Sequence, residues 1–316
     1  MNSGQRANVD THRLRFNAMG CPCEITLEHT DELCAQRAAL AARAEVERLD
    51  AKYSHYRDDN LLAEIIVAAA SADGASVDDE TADLLDFAAA LHAQSGGRFD
   101  ITAGALTKLW DLQAGRVPAD AEVAAALART GWQRVRWNRP QLHFSTPGMR
   151  LDLGGVVKEY AADRAAQRCR DQGVAHGVVD LGGDLAVVGK HADGTAWRAG
   201  IKAPRAHDPH ETPGAFASIE LSHGGLATSG DYERAMIVDG RRYSHIIDPR
   251  SGQPLESFAS VSVLGESCLV AGAASTIGML LGPREGYAWL QQLGLPFLCV
   301  GADGAISGTL AAADRT

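Results

Sequence analysis

Apolar and polar residues alternate between Arg13 and Glu28, with Leu14 and Phe16 on one side of Met19-Gly20 and Cys23, Ile25 and Leu27 on the other. That period of two predicts a pair of strands joined at Met19-Gly20. The period then lengthens. From Glu32 to Tyr53 apolar residues return every three or four positions (Ala35, Ala39, Ala42, Val46, Leu49, Tyr53) with Arg and Glu opposite, which predicts an amphipathic helix. A second helix is expected over residues 79–95, with Asp79 or Thr81 as N-cap and Gly96-Gly97 as the stop, and a third over the Ala-rich residues 119–130. Val135, Trp137, Leu142 and Phe144 read as a hairpin around Asn138-Arg139-Pro140. Residues 158–172 are helical in pattern; residues 174–188 read as two strands broken at Leu181-Gly182-Gly183-Asp184, and residues 197–202 as another strand. The last third carries strands at 217–221, 235–238, 260–263 and 296–300, and helices near 271–281 and 284–293.

Many of these strands are joined by hairpin-length turns and not by crossover helices, which predicts an α+β fold over a doubly wound parallel sheet. No repeat of solenoid period is present. The stretch His207-Asp208-Pro209-His210-Glu211-Thr212-Pro213 is expected to be a surface excursion.

Composition changes the picture only by exclusion. Hydrophobic residues at 46% and charged residues at 22% are those of an ordinary globular protein. A net charge of −10 argues against non-specific nucleic-acid binding, which needs a basic surface, while leaving room for a local basic pocket. The first dozen residues are polar, with no segment for a signal peptidase to read. The apolar run at 270–281 falls short of the ~20 residues that span a bilayer. No membrane span and a cytoplasmic location are therefore expected. Six irregularly spaced cysteines fit a reduced compartment. Cys21 and Cys23, one residue apart in a strand, point to the same face, and no second Cys/His pair stands at zinc-site spacing; a structural role is expected for both.

Five segments hold more chemistry than a scaffold needs: Arg98-Phe99-Asp100-Ile101-Thr102 with Trp110 downstream; Asp152-Leu153-Gly154-Gly155 leading to Lys158; Asp180-Leu181-Gly182-Gly183-Asp184; Thr228-Ser229-Gly230-Asp231-Tyr232; and His245-Ile246-Ile247-Asp248-Pro249 with Gly252 and Pro254. Gly154-Gly155 before a helix suits either an anion held on bare backbone N–H groups or a plain tight turn. Gly182-Gly183 suits a hairpin. His245, expected in a strand ending at an Asp-Pro turn, is a candidate general base if a carboxylate orients its ring. No GxGxxG or Walker sequence is present.

Taken in order, these segments resemble the ApbE family of FAD:protein FMN transferases, from Met19-Gly20 through Gly282. The resemblance implies an α+β, T-fold-related fold of two intertwined halves over residues 13–310, with an FAD cleft and flexible ends at 1–12 and 311–316. It implies that Met19, Tyr56, Arg98, Phe99, Asp100, Asp152, Lys158 and Ile247 line the FAD site and that His245 is the catalytic base. The implied reaction moves FMN from FAD to a Ser or Thr of an acceptor protein, an electron-transfer subunit, and releases AMP. The implied Mg²⁺ site comprises the Gly155 carbonyl, Ser275 and Thr276. The sequence departs from the pattern at Gly272, where an Asp is expected, at Glu159, where Gly is common, and at Asn60, Ala63 and Ile66. A carboxylate disappears at Gly272 and one appears at Glu159, so Glu159 is expected either to supply the missing charge or to be a solvated helix-face glutamate. FAD binding without transfer, and FAD pyrophosphate hydrolysis, are the competing readings.

Overall fold

A computed structural model describes residues 9–111, 115–202, 215–231 and 235–312. The first hairpin is as expected. β1 (Asp10–Ala18) and β2 (Cys21–His29) pair antiparallel with Ala18 opposite Cys21, leaving Met19-Gly20 as a two-residue turn. Both turn residues have positive φ, 53° and 69°, the conformation whose twist matches the flanking strands. For Met19, which carries a Cβ, this region is disfavoured; its N–H donates to Asp50 Oδ2 at 3.0 Å, which holds it there.

Helix α1 (Glu32–Tyr53), capped by Asp31, buries Ala35, Ala38, Ala39, Ala42, Val46 and Leu49 along one face. There follow α2 (Leu61–Ala69), β3 (Ala75–Ser76), α3 (Asp79–Gln94), α4 (Gly104–Leu109) and α5 (Asp120–Leu127). The cap of α3 is Asp78, one residue earlier than expected, with its carboxylate accepting the Thr81 N–H at 2.8 Å. Asp79 and Glu80 sit instead in the first turn, where negative charge meets the positive end of the helix. α5 is shorter than the Ala-rich run. β4 (Val135–Asn138) and β5 (Gln141–Phe144) form the expected hairpin, and β3 adds to it.

After α6 (Val157–Asp171) come β6 (His176–Leu181), β7 (Asp184–Gly189), β8 (Trp197–Lys202), β9 (Ala215–Leu221), β10 (Gly225–Gly230), β11 (Ala235–Val238), β12 (Arg241–Ser244) and β13 (Ser260–Gly265). Helix α7 (Cys268–Leu293), β14 (Phe297–Val300) and β15 (Ile306–Ser307) follow, and a short 3-10 helix (Thr309–Ala312) closes the described chain. The main sheet runs β1-β2-β6-β7-β10-β13-β14-β15, and each neighbouring pair is antiparallel. The fold is α+β. The 207–213 stretch lies outside the described residues.

Helices α1 and α6 pack on each other, α6 on β7, and α7 on β10 and β13. Ala161, Ala162, Ala165 and Ala166 of α6 and Ala271, Ala273 and Ala274 of α7 are buried in the same core as Val179, Leu181, Val261 and Val263 of the sheet. Small side chains at such contacts let helices approach closely. α7 holds both of the C-terminal helices that the sequence predicts, broken between them at Gly282 (φ 79°, ψ 178°) before Pro283. It begins three residues earlier than expected. Ser267 caps it, and the Asp163 carboxylate of α6 accepts the N–H groups of Cys268 (2.8 Å) and Leu269 (2.9 Å). No helix among the described residues is long and apolar enough to cross a membrane. None of the six cysteines is in a disulfide, and Cys21 and Cys23 Sγ lie 4.0 Å apart on one face of β2.

Candidate functional site

The motif segments meet through backbone contacts that leave no room for side chains. Gly182 and Gly183 form the β6–β7 turn with φ of 67° and 94°. The Gly182 N–H donates to the Pro22 carbonyl at 3.0 Å, and a Cβ on Gly182 would lie 2.8 Å from Cys21 Cβ and Sγ. The Gly-Gly-Asp turn is thus docked against the Met19 hairpin. Asp184, the next residue, is 2% exposed. It accepts the Thr228 N–H of β10 at 3.1 Å and pairs with the Lys158 ammonium at 2.6 Å. Burial alone would lower the Lys158 pKa; the charges of Asp184 and Glu159 overcome it and hold the ammonium well above its ordinary value.

A second group surrounds Gly154-Gly155. The strip from Phe99 to Ala103 lies along the strip from Arg150 to Asp152, with the Asp152 N–H donating to the Ile101 carbonyl at 2.7 Å and Ala103 bridged to Arg150. Asp152 Oδ1 accepts the Gly154 N–H at 2.8 Å and stands 3.1 Å from His55 Nδ1. Burial opposes ionisation of Asp152, but the His55 and Gly154 contacts win and hold its carboxyl below the usual range. Neither glycine has positive φ. They are glycines because a Cβ on Gly154 would lie 3.0 Å from Asp152 Oδ1, and one on Gly155 would lie 3.1 Å from the buried Phe99 ring. The tight-turn reading is correct locally, and the reason is close approach of neighbours. Tyr56 is exposed beside them, its ring 3.9 Å from that of His55.

The third group is on α7. Ser275 Oγ donates to the Gly272 carbonyl at 3.0 Å, and Ser229 of β10 stands 2.8 Å from Ser275 Oγ and 3.1 Å from Thr276 Oγ1. Over the same turn lies Glu159 from α6. A Cβ on Gly272 would fall 2.4 Å from Glu159 Cγ and 3.0 Å from its Oε1. Glu159 is 6% exposed and its Oε2 has no hydrogen-bond partner. Burial, then the charge of Asp184, push its carboxyl up to about 8 against the pull of Lys158. As a magnesium set, Gly155, Ser275 and Thr276 alone offer neutral oxygens. No three His, Cys, Asp or Glu side chains converge among the described residues. Mg²⁺ keeps several waters and takes one or two carboxylates, and a donor set that includes Glu159 meets that requirement.

His245 lies at a bend just past β12, half-buried, and not within a strand as expected. Its loop is pinned from both sides. Leu255 donates to the Ile246 carbonyl at 2.8 Å, Ile247 bridges to Pro254, and Trp110 Nε1 donates to the Gly252 carbonyl at 2.7 Å. The Trp110 ring also stacks on Tyr243, 5.7 Å between centroids. Gly252 has φ of 68°, and a Cβ there would meet Val123 Cγ1 at 2.7 Å. Asp248 directs its carboxylate to its own turn, accepting the Arg250 N–H at 3.0 Å. Ile247 is buried with Leu106 and Trp110.

Two more of the expected flavin residues, like Asp152 and Lys158, are engaged with the protein itself. Arg98 donates to the Leu280 carbonyl at 3.0 Å, where α7 breaks, and reaches Glu285 at 3.3 Å. Asp100 accepts Thr102 N (2.8 Å), Thr102 Oγ1 (2.6 Å) and Trp132 N (2.9 Å), which fixes the loop leading to α4. Tyr232 lies outside the described residues. Sequence reasoning overlooked His55, adjacent to Tyr56, and Asp163, the cap of α7; no local pattern marks either. Ser229 and Asp184 stood inside noted motifs without an assigned role.

The chain is similar to known proteins over most of its length. The model of the ApbE family matches residues 19–299. An FAD:protein FMN transferase of Klebsiella pneumoniae is 29% identical over 295 residues, 90% of this chain and 83% of that protein. One from Salmonella typhimurium is 32% identical over 72% of this chain and 67% of its own. Among solved structures, the ApbE protein of Thermotoga maritima superposes with a TM-score of 0.85 at 31% identity, covering 96% of this chain and 98% of that one. The flavin transferase ApbE from Vibrio cholerae gives 0.83 at 28% identity, with 95% and 97% covered. With the family model spanning from the Met19 turn to β14, the chain belongs to the ApbE family.

Proposed function

We propose that this protein is an FAD:protein FMN transferase, taking FAD as substrate and attaching its FMN portion to a Ser or Thr hydroxyl of an acceptor protein. The observation that carries this reading is the match to transferases over most of the chain, supported by the packing of Phe99 against Gly155 and of Asp184 against Lys158 at the start of α6.

In the proposed step the acceptor hydroxyl oxygen attacks the phosphorus on the FMN side of the pyrophosphate. An O–P bond forms to FMN, the bond from that phosphorus to the bridging oxygen breaks, and AMP leaves with that oxygen. His245 takes the hydroxyl proton; Trp110 and Tyr243 fix the backbone that carries it. Lys158, held charged beside Asp184, supports the negative phosphates, and Met19, Tyr56 and Asp152 border the flavin. A divalent cation, when bound, neutralises pyrophosphate charge; Gly155, Ser275 and Thr276 would hold it. An electron-transfer subunit is the expected acceptor.

The test is mass spectrometry of a peptide with a central Thr, incubated with the protein, FAD and Mg²⁺. An adduct of FMN mass is expected. His245→Ala should lower its rate by about 10²-fold or more, the usual contribution of a general base, with FAD binding retained. Free FMN formed without acceptor, and no adduct, would replace transfer with hydrolysis.

A further inference from the structure

Helices α6 and α7 exchange a side chain for a space. At Gly272 the helix is bare, although Gly is among the poorest residues for a helix interior. The volume that a side chain would fill there belongs to Glu159, whose Cγ and Oε1 stand 2.4 and 3.0 Å from the position of a Gly272 Cβ. Either residue alone would be hard to explain. A buried glutamate with one unpartnered oxygen is unfavourable, and a mid-helix glycine gains nothing by itself. Together they place a carboxylate from α6 over the turn of α7 that bears Ser275 and Thr276.

Charge gives the second line of argument. Lys158 is the cation of this cluster and is already paired at 2.6 Å with Asp184. When ionised, Glu159 adds a negative charge in excess of the positive one, in a region that excludes water. Close by are neutral oxygens of the kind hard cations accept: the Ser275 and Thr276 hydroxyls, which meet at Ser229. Dehydrated carboxylate and hydroxyl oxygens without a balancing charge are a donor set for a small divalent cation.

We propose that Glu159 supplies, from α6, the carboxylate ligand of a hard divalent cation held with oxygens of α7, and that Gly272 is glycine to admit it. This inference deepens the flavin-transfer reading and rests on it for the pyrophosphate that the cation meets.

The experiment uses the full chain and Mn²⁺ as the probe, followed by electron paramagnetic resonance of the free ion, with and without saturating FAD. FAD binding is measured separately by quenching of flavin fluorescence. The wild type should bind Mn²⁺, and Glu159→Gln, close to it in shape, should weaken that binding at least about tenfold while still binding FAD. Gly272→Asp alone should fold poorly because its side chain meets Glu159. Glu159→Gly combined with Gly272→Asp should restore both folding, seen by circular dichroism, and Mn²⁺ binding. Unchanged Mn²⁺ affinity in Glu159→Gln, no Mn²⁺ binding by the wild type in either condition, or no recovery in a folded double variant would each overturn the proposal. Failure of the wild type to bind FAD would instead remove the flavin-transfer reading.

Discussion

Glu45 and Glu159 are equally hidden, 5% and 6% exposed, yet their surroundings are opposite. Glu45, on α1, receives Arg48 at 2.9 Å, Arg168 at 3.3 Å and Arg164 at 3.4 Å. The Arg48 hydrogen bond leads the effects that hold its carboxyl below the usual range, against burial. Its two oxygens are satisfied and it ties α1 to α6. Glu159, at the other end of α6, has an unpartnered oxygen and a carboxyl pushed up to about 8. Depth of burial is therefore uninformative about role. The balance of charge around the carboxylate separates a fastener from a group held ready for something else.

Breaking the fastener should have the largest effect on stability. Glu45→Gln removes the charge that three guanidinium groups share, and because those groups are partly exposed the cost should be about 2 kcal/mol, less than for a fully buried pair; urea denaturation measures it. Gly272→Ala sharpens the contrast through a change of sign. Helix propensity alone predicts a gain of about 1 kcal/mol, whereas a Cβ 2.4 Å from Glu159 Cγ predicts an overpacking loss of about 2 kcal/mol, so the variant should be less stable than wild type. In a Glu159→Gly background the same Ala should stabilise, by about 1 kcal/mol, and a double-mutant cycle of thermal melts reads both.

In cation-free buffer Glu159→Gln should raise stability by about 1 kcal/mol, since it removes an unbalanced buried carboxylate. A fall comparable to that of Glu45→Gln would erase the distinction. The acid limb tests the fastening side again. Glu80, hydrogen-bonded by Arg48 and also by Lys52, titrates at about 2 in the folded chain against 4.5 for the free side chain. A depressed folded pKa gives stability that is present above pH 4.5 and lost as pH falls toward 2. Glu80→Gln should flatten the melting temperature across that window. The smallest effect belongs to the exposed Arg43–Glu47 pair: Arg43→Ala should change stability by no more than about 0.5 kcal/mol.

The sequence made local order legible and left distant partnerships hidden. The Met19-Gly20 turn, α1, α6 and the β6–β7 hairpin follow from periodicity and turn chemistry, because each depends on neighbours in the chain. β12 was not foreseen, and His245 was placed in a strand, because Arg241-Arg242-Tyr243-Ser244 has no alternation to read. The cap that Asp163 gives α7 spans 105 residues, and the contact of Arg168 with Glu45 spans 123; no spacing rule reaches that far. Gly272 and Glu159 could each be singled out along the sequence. That they occupy one volume was visible only in three dimensions.

The hydrogen bond from Trp110 to Gly252 joins residues 142 positions apart. Contacts so distant in sequence close slowly, because loop entropy must be overcome before they give anything back. The hairpin and α6 can assemble from local contacts well before the loop bearing His245 is clasped. Local assembly cannot supply the meeting of such elements: the clasp on that loop, like the Gly182-to-Pro22 contact that docks the β6–β7 turn on the Met19 hairpin, closes only as the whole chain compacts.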